Sequence, residues 1–272
     1  MERVYWVSSM LSWVIERGVI KELIIRGKNI ILPWGIETAD ASGFYSLEEN
    51  IGYRNKRNLL NSYSNDNSSF IHESVSMPEG SWELKISDSI RNNSIVRSAT
   101  LTSIEDTILM DYVMRFRFKK EYFDSANIAG KTIYHTASDV YHLYPVQSAR
   151  LNGSDITVHI EIESADCANI MSPNIYVRDH ADEWVVHVRM LPQIVHKEVI
   201  KICNGWAGTR AIPQWLSNNI LSVSKIRSYL LYRNERNPYP RIVRRLLNLN
   251  AFPMAMLPEG RSLHWTVKMS VV

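Results

Sequence analysis

The feature that most constrains this chain is a period of two that recurs across residues 75–190. Trp82-Glu-Leu-Lys-Ile86, Asp111-Tyr-Val-Met-Arg-Phe-Arg-Phe118, Thr157-Val-His-Ile-Glu-Ile-Glu163 and Glu183-Trp-Val-Val-His-Val-Arg-Met190 each set apolar side chains at every second position. Successive side chains of an extended strand point to opposite faces, so this pattern predicts strands with one buried and one polar face. Pro78-Glu-Gly80, Arg91-Asn-Asn93 and Asn152-Gly153 supply the turn residues between runs. No strand–helix–strand rhythm separates the runs, which excludes parallel crossovers and predicts antiparallel sheets.

The flanks extend this reading. Residues 19–32 contain two β-branched runs around Arg26-Gly27-Lys28-Asn29 and read as a hairpin ended by Pro33 and Gly35. Residues 36–72 read as irregular. Within them Asn61–Ser69 is a polar stretch, a lid or a plain surface excursion. From Ile212 to Leu230 apolar residues recur at three and four, the helical period, until Pro238 and Pro240 break it; Arg241–Leu247 reads as a second short helix. Leu263–Val271 then returns to a strand. The expected architecture is one mainly β domain over 1–272, a large antiparallel β-sandwich, with 212–249 a helical insertion before the last strand.

Composition narrows the class. At 272 residues the chain is near the ceiling for one hydrophobic core, and 45% hydrophobic with 22% charged residues is a globular balance. No apolar run approaches the 18 residues of a membrane-spanning helix. Cys167 and Cys203 are too few for a disulfide framework and lack metal-ligand spacing. With no secretory leader pattern, a cytoplasmic protein is expected. The net charge of +3 demands no nucleic-acid partner, but seven basic residues against Glu235 alone concentrate in 225–245. That segment is a solvated helix face, a subunit contact in a homo-oligomer, or a binding surface for an anionic ligand.

The polar strand faces hold the chemistry. One carries His159, Glu161 and Glu163, a second Asp111, Arg115 and Arg117, a third Glu183, His187 and Arg189. If these strands share a concave sheet, His159, His187 and Glu161 can exchange protons with a hydroxyl or ring oxygen, and Arg115, Arg117 and Arg189 can fork onto an acidic group. A charged face turned to water gives the same pattern. A second cluster packs Tyr134, His135, Asp139, Tyr141, His142 and Tyr144 into eleven positions, a set suited to a sugar or to a tyrosine-rich strand edge. No phosphate loop, dinucleotide fingerprint or nucleophile elbow occurs, so neither cofactor nor metal is expected.

Two further stretches resemble a known family. Gly18-Val-Ile-Lys-Glu-Leu-Ile-Ile-Arg-Gly-Lys-Asn-Ile-Ile-Leu-Pro33 is similar to the opening hairpin of galactose-mutarotase-like proteins. Leu257-Pro-Glu-Gly-Arg-Ser-Leu-His-Trp-Thr-Val-Lys-Met269 resembles their closing strand, and His142-Leu-Tyr144 the surroundings of one of their catalytic histidines. The resemblance implies a supersandwich that binds a sugar on a concave sheet and opens the pyranose ring with a His acid and a Glu base. The family's late catalytic Glu has no counterpart here, since Glu235 and Glu259 sit in unsuitable contexts, and Glu161 is the substitute. The expected activity is therefore that of an epimerase, mutarotase, lyase or hydrolase on a sugar or acidic sugar, with His142, His159, His187 and Glu161 catalytic and the Arg and second-cluster residues binding substrate. A carbohydrate-binding or assembly protein without turnover is the alternative.

Overall fold

The computed structural model describes residues 4–7 (backbone only), 11–48, 52–65, 67–193, 199–206, 209–231 and 246–272. Two large antiparallel sheets dominate. The nine-stranded sheet runs in the order Lys131–Tyr134, Ser125–Ile128, Ser148–Asn152, Thr157–Asp166, Ser262–Val271, Ser94–Ser103, Gly80–Arg91, Ser68–Met77, Lys56–Ser64. The seven-stranded sheet runs Tyr141–Tyr144, Met171–His180, Glu183–Pro192, Asp111–Lys119, Ile36–Ala39, Phe44–Ser46, Gly52–Tyr53. This is the mainly β, antiparallel sandwich that the alternating runs predict. The closing strand enters the middle of the nine-stranded sheet, between Ser94–Ser103 and Thr157–Asp166.

The apolar halves of both sheets meet in one core. Tyr112, Met114, Phe116 and Phe118 from one sheet join Leu84, Ile86, Ala99, Leu101, Ile160 and Trp265 from the other, all buried. Tyr45 sets its ring edge-on to Trp82 at 4.7 Å, tying the layers together. Trp13, Trp34, Trp82, Trp184 and Trp265 are fully buried. Five of the eight tryptophans therefore serve the core. A buried Arg97–Asp88 pair at 2.6 Å links the nine-stranded sheet to the N-terminal hairpin, with Arg97 Nη2 also donating to the Gly18 carbonyl at 2.6 Å.

The N-terminal segment forms its own sheet of Val4–Val7, Leu11–Glu16, Val19–Ile25 and Lys28–Asn29. The hairpin around Arg26-Gly27 stands as read, its turn residues at φ +50 and +77. Arg17-Gly18 makes an equivalent turn before it. A Cβ on Gly18 would stand 2.8 Å from Ile71, so space as well as φ selects glycine there.

Residues 36–72 are not irregular: they supply four strands and the start of a fifth. Asn61–Ser69 is no lid but most of a hairpin between Lys56–Ser64 and Ser68–Met77. Its polar residues suit an edge strand exposed along its length, where no apolar face is needed. The helical segment breaks earlier than its prolines predict: Gln214–Ser222 and Ser224–Leu230 meet at Val223, whose backbone is extended. Leu221 and Leu230 pack with Ile200, Ile202, Leu249 and Ala251 in a small separate cluster. Residues 232–245, with most of the basic segment and most of the second short helix, lie outside the described residues. Among the described residues no helix is long and apolar enough to cross a membrane.

Candidate functional site

The strands do not put their polar faces on one surface. Thr157–Asp166 belongs to the nine-stranded sheet, whereas Asp111–Lys119 and Glu183–Pro192 are neighbours in the seven-stranded one. His159 therefore lies between Arg150 and Ser270, and Glu161 between Ser148 and Lys268, on the outer side of the nine-stranded sheet. A bulge between Ile162 and Ser164 takes Glu163 out of the ladder. His142 pairs with Val177 on the side of its edge strand opposite Tyr141 and Leu143, and partial burial lowers its pKa. The expected gathering of His142, His159, Glu161 and His187 does not form, and of the four only His187 sits on the polar face of the seven-stranded sheet.

That face is a grid set by register. One row reads Glu37, Val113, Arg189, Asn174; the next reads Arg115, His187, Tyr176, Leu143; a third reads Arg117, Val185, Arg178, Tyr141. Diagonal neighbours on adjacent strands stand roughly 7–8 Å apart, within reach of long side chains, so groups of unlike charge meet two positions off register. Arg115 Nη1 lies 2.6 Å from Glu37 Oε1, and its Nη2 pairs with Glu48. Arg117 forks onto Glu183 at 2.6 and 3.1 Å. Arg189 Nε and Nη2 hold Asp111 Oδ2 at 2.8 and 2.6 Å. Arg178 Nε donates to Asp139 Oδ1 at 2.5 Å and its guanidinium lies over the Tyr141 ring at 4.7 Å.

These pairs correct the role expected of the arginines. Arg115, Arg117 and Arg189 are on one face as hoped, but each guanidinium already holds protein carboxylates and is not a vacant fork for an acidic substrate group. Glu37, Glu48, Asp111, Glu183, Tyr176 and Arg178 complete the cluster. The polar-face alternation exposes Asp111 and Glu183 in the sequence. Glu37 is missed because its strand is too short to show a period, and Glu48 because it lies in a bend after the strand Phe44–Ser46. Nothing local marks them beyond a carboxylate within Ile36-Glu-Thr-Ala39, a run otherwise suited to burial.

Burial sets the protonation. Glu37 is driven from 4.5 to about 7 by desolvation, opposed by Arg115 and reinforced by Glu48 and Asp111. Desolvation also raises Asp111, against the pull of Arg189. His187 falls well below its ordinary value, first because it is buried and then because Arg115, Arg189 and Arg178 are cationic. Its ring is neutral at pH 7. Tyr176 Oη lies 3.3 Å from His187 Nε2, and the two rings pack at 4.3 Å. At neutral pH the face therefore holds an uncharged imidazole at His187 and a carboxyl near its midpoint at Glu37.

The second cluster divides. Asp139 and Tyr141 join the grid through Arg178. His135 turns to the other side of the strand, where its Nδ1 meets the fully buried Asp179 and its ring lies 5.6 Å from Trp184. Asp179 also accepts from the Thr136 and Ser138 amides at 2.7 and 3.2 Å. Burial opposes its charge, but these bonds and His135 hold its carboxyl below the usual range. This is a structural lock for residues 135–140. Tyr134 is exposed on the nine-stranded sheet, and Tyr144 packs against the core beneath Lys131. A cleft of about 320 Å³ lies elsewhere, between the Glu16–Gly18 turn and the strand Lys56–Ser64, and includes none of the gridded residues. Among the described residues no group of three His, Cys, Asp or Glu side chains is arranged to hold a metal.

Known structures share the architecture. A proposed aldose 1-epimerase of Escherichia coli K12 superposes with a TM-score of 0.52 and 8% identity, over 100% of this chain and 99% of that one. A galactose mutarotase-like protein of Lactobacillus casei ATCC 334 gives 0.51 and 9%, over 100% of both chains. At these identities the likeness is one of fold, and it matches the supersandwich implied by the two ends of the sequence. No protein-family model and no curated protein matches the sequence.

Proposed function

We propose that this chain binds an uncharged sugar of monosaccharide size on the polar face of the seven-stranded sheet and interconverts its anomers by proton transfer. The observation that carries the reading is the juxtaposition of Glu37, Arg115 and His187 on three adjacent strands, with groups able to give and to take a proton on either side of one guanidinium. Anomer interconversion needs that pair: a base takes the proton from the anomeric hydroxyl, an acid protonates the ring oxygen, and the ring bond opens. The fold neighbours described as an aldose 1-epimerase and as galactose mutarotase-like are compatible with this chemistry, although shared fold alone does not transfer it.

The occupied arginines favour a neutral ligand. A sugar hydroxyl can accept from a guanidinium N–H and donate to a carboxylate without breaking either ion pair. An acidic sugar would instead set its charge against Glu37, Glu48, Asp111 and Glu183 in a partly desolvated site, which costs affinity. Polarimetry on freshly dissolved α-D-glucose and α-D-galactose tests the reading. The chain should speed the approach to anomeric equilibrium, and His187→Ala should lower that rate by ~10²-fold or more. Sugar binding without acceleration would favour a carbohydrate-binding protein, and neither binding nor acceleration would sink the carbohydrate reading.

A further inference from the structure

An open antiparallel sheet ends on strands whose outer backbone groups have no partner, and folded chains keep such edges short, charged or covered. Three of the four edges of the two large sheets follow this rule. Lys131–Tyr134 and Tyr141–Tyr144 have four residues each, and Gly52–Tyr53 has two. The fourth edge, Lys56–Ser64, has nine residues, and all of them but Ser64 are exposed. Among the described residues no strand pairs with its outer side. The usual guards are thin here. Lys56 and Arg57 stand at its start, with Arg57 turned to Glu73 at 2.9 Å, and no charged side chain follows before Ser64. One bulge, between Leu59 and Asn61, bends the strand at its middle.

The side chains of this edge carry the same signal. Leu59, Leu60 and Tyr63 leave 47%, 45% and 57% of their surface in water, three large apolar groups within five residues. Scattered exposed apolar residues are ordinary, but a run of them along an unpaired edge is a pairing surface. The cleft of about 320 Å³ opens beside Leu59, between this strand and the Glu16–Gly18 turn, with Ile15 and Ser69 in its wall. A strand laid along Lys56–Ser64 would carry alternate side chains over that cleft.

Charge selects the occupant. We propose that Lys56–Ser64 is the interface of a homodimer, in which the same strand of a second copy adds antiparallel to it and the two nine-stranded sheets run on as one. A twofold axis near Leu60 sets the basic start of each strand against the uncharged Asn61–Ser64 end of the other and brings the apolar middles together. Parallel pairing would instead set Lys56 and Arg57 of both copies side by side, which is unfavourable. A strand complementary to itself is what a twofold contact requires. The contact also closes: it uses the long edge of each copy and leaves outside only edges of four residues or fewer, so assembly stops at two. This edge lies on the other sheet from Glu37, Arg115 and His187, so dimerisation and anomer interconversion can fail separately.

Light scattering after gel filtration of the full chain, at ~1 to ~100 μM and physiological salt, tests this. The mass should rise with concentration from 31.4 kDa toward twice that value. Leu60→Lys, a substitution at an exposed position, sets two like charges near the axis and should raise the dimer dissociation constant by ~10²-fold or more. Thr132→Lys, on the short opposite edge, should change it by less than about twofold. In the wild type, hydrogen exchange of the 56–64 amides should slow at the upper concentration and not at the lower. A chain that is monomeric throughout overturns the proposal. So does a dimer that Leu60→Lys leaves as tight as before, or one whose 56–64 amides exchange at the monomer's rate.

Discussion

The two large sheets carry the same kind of sequence and put it to opposite use. On the nine-stranded sheet the outer face is a ladder of small polar groups in water: Ser98 with Thr266 at 3.2 Å, Thr100 with His264 at 2.8 Å, Thr102 with Ser262 at 2.8 Å. On the seven-stranded sheet the equivalent positions hold Glu37, Asp111, Arg115, Glu183, His187 and Arg189, joined to one another and shielded, with Glu37, Asp111, Glu183 and His187 buried outright. Alternation therefore reports that a face is polar. Whether that face is wet depends on what the rest of the chain lays over or beside it. Shielding converts ordinary side chains into groups with displaced proton affinities, and among the described residues it is the polar face of the seven-stranded sheet that has it.

The sharpest way to break the comparison is to remove one charge from the shielded face. Arg189→Met leaves Asp111 without its partner at 2.6 Å, beside Glu37. An uncompensated buried carboxylate costs ~3–5 kcal/mol. The unfolding free energy from urea denaturation should fall by that amount at pH 8, and Asp111→Asn added to Arg189→Met should recover most of it. A loss under ~1 kcal/mol would mean that the grid is as wet as the other sheet, and the contrast would collapse.

A smaller effect comes from protons. Glu37 has its folded pKa raised to about 7 from 4.5, so over that range the folded chain binds more protons than the unfolded one. Its contribution is whole below pH 4.5 and is lost as pH rises through 7, at most about 3 kcal/mol. His187 works the other way, since its lowered pKa gives stability present above its ordinary value of 6.5 and lost in acid. Subtracting the Glu37→Gln curve from the wild-type curve isolates the first term. Relative to the variant, the wild type should lose stability steadily between pH 4.5 and 7 in chemical denaturation. A flat difference would mean that Glu37 titrates as it does in water.

How far the sequence discloses this follows from the length of each element. Asp111–Lys119 and Glu183–Pro192 are nine and ten residues long, enough for a period of two to show both faces, so Arg115, Arg117, His187 and Arg189 are legible as one polar set. Ile36–Ala39 has four residues and reads as nothing in particular, which hides Glu37. Which strands share a sheet is set by pairings between residues far apart in sequence, such as Tyr112 with Met190 and Val158 with Val271. Periodicity is blind to those pairings. The misplacement of His159 and Glu161 is that blindness in its plainest form, because their strand has the same alternation as the two that build the site.

That pair gives the smallest expected effect and the sharpest control. His159 stands between Arg150 and Ser270, and Glu161 opposite Lys268, in a face where Glu161 is exposed and His159 half-buried. Opposite charges set across strands on a wet face gain little Coulomb energy in high dielectric. Neither His159→Ala nor Glu161→Gln should change stability by more than ~0.5 kcal/mol, or anomerisation by more than about twofold. Both residue types are the ones that acid–base chemistry uses, so a null result here, beside a large loss in His187→Ala, would assign the activity to shielding and not to composition. If instead His159→Ala slowed turnover as much as His187→Ala does, the polar face of the nine-stranded sheet would have to be the reacting surface.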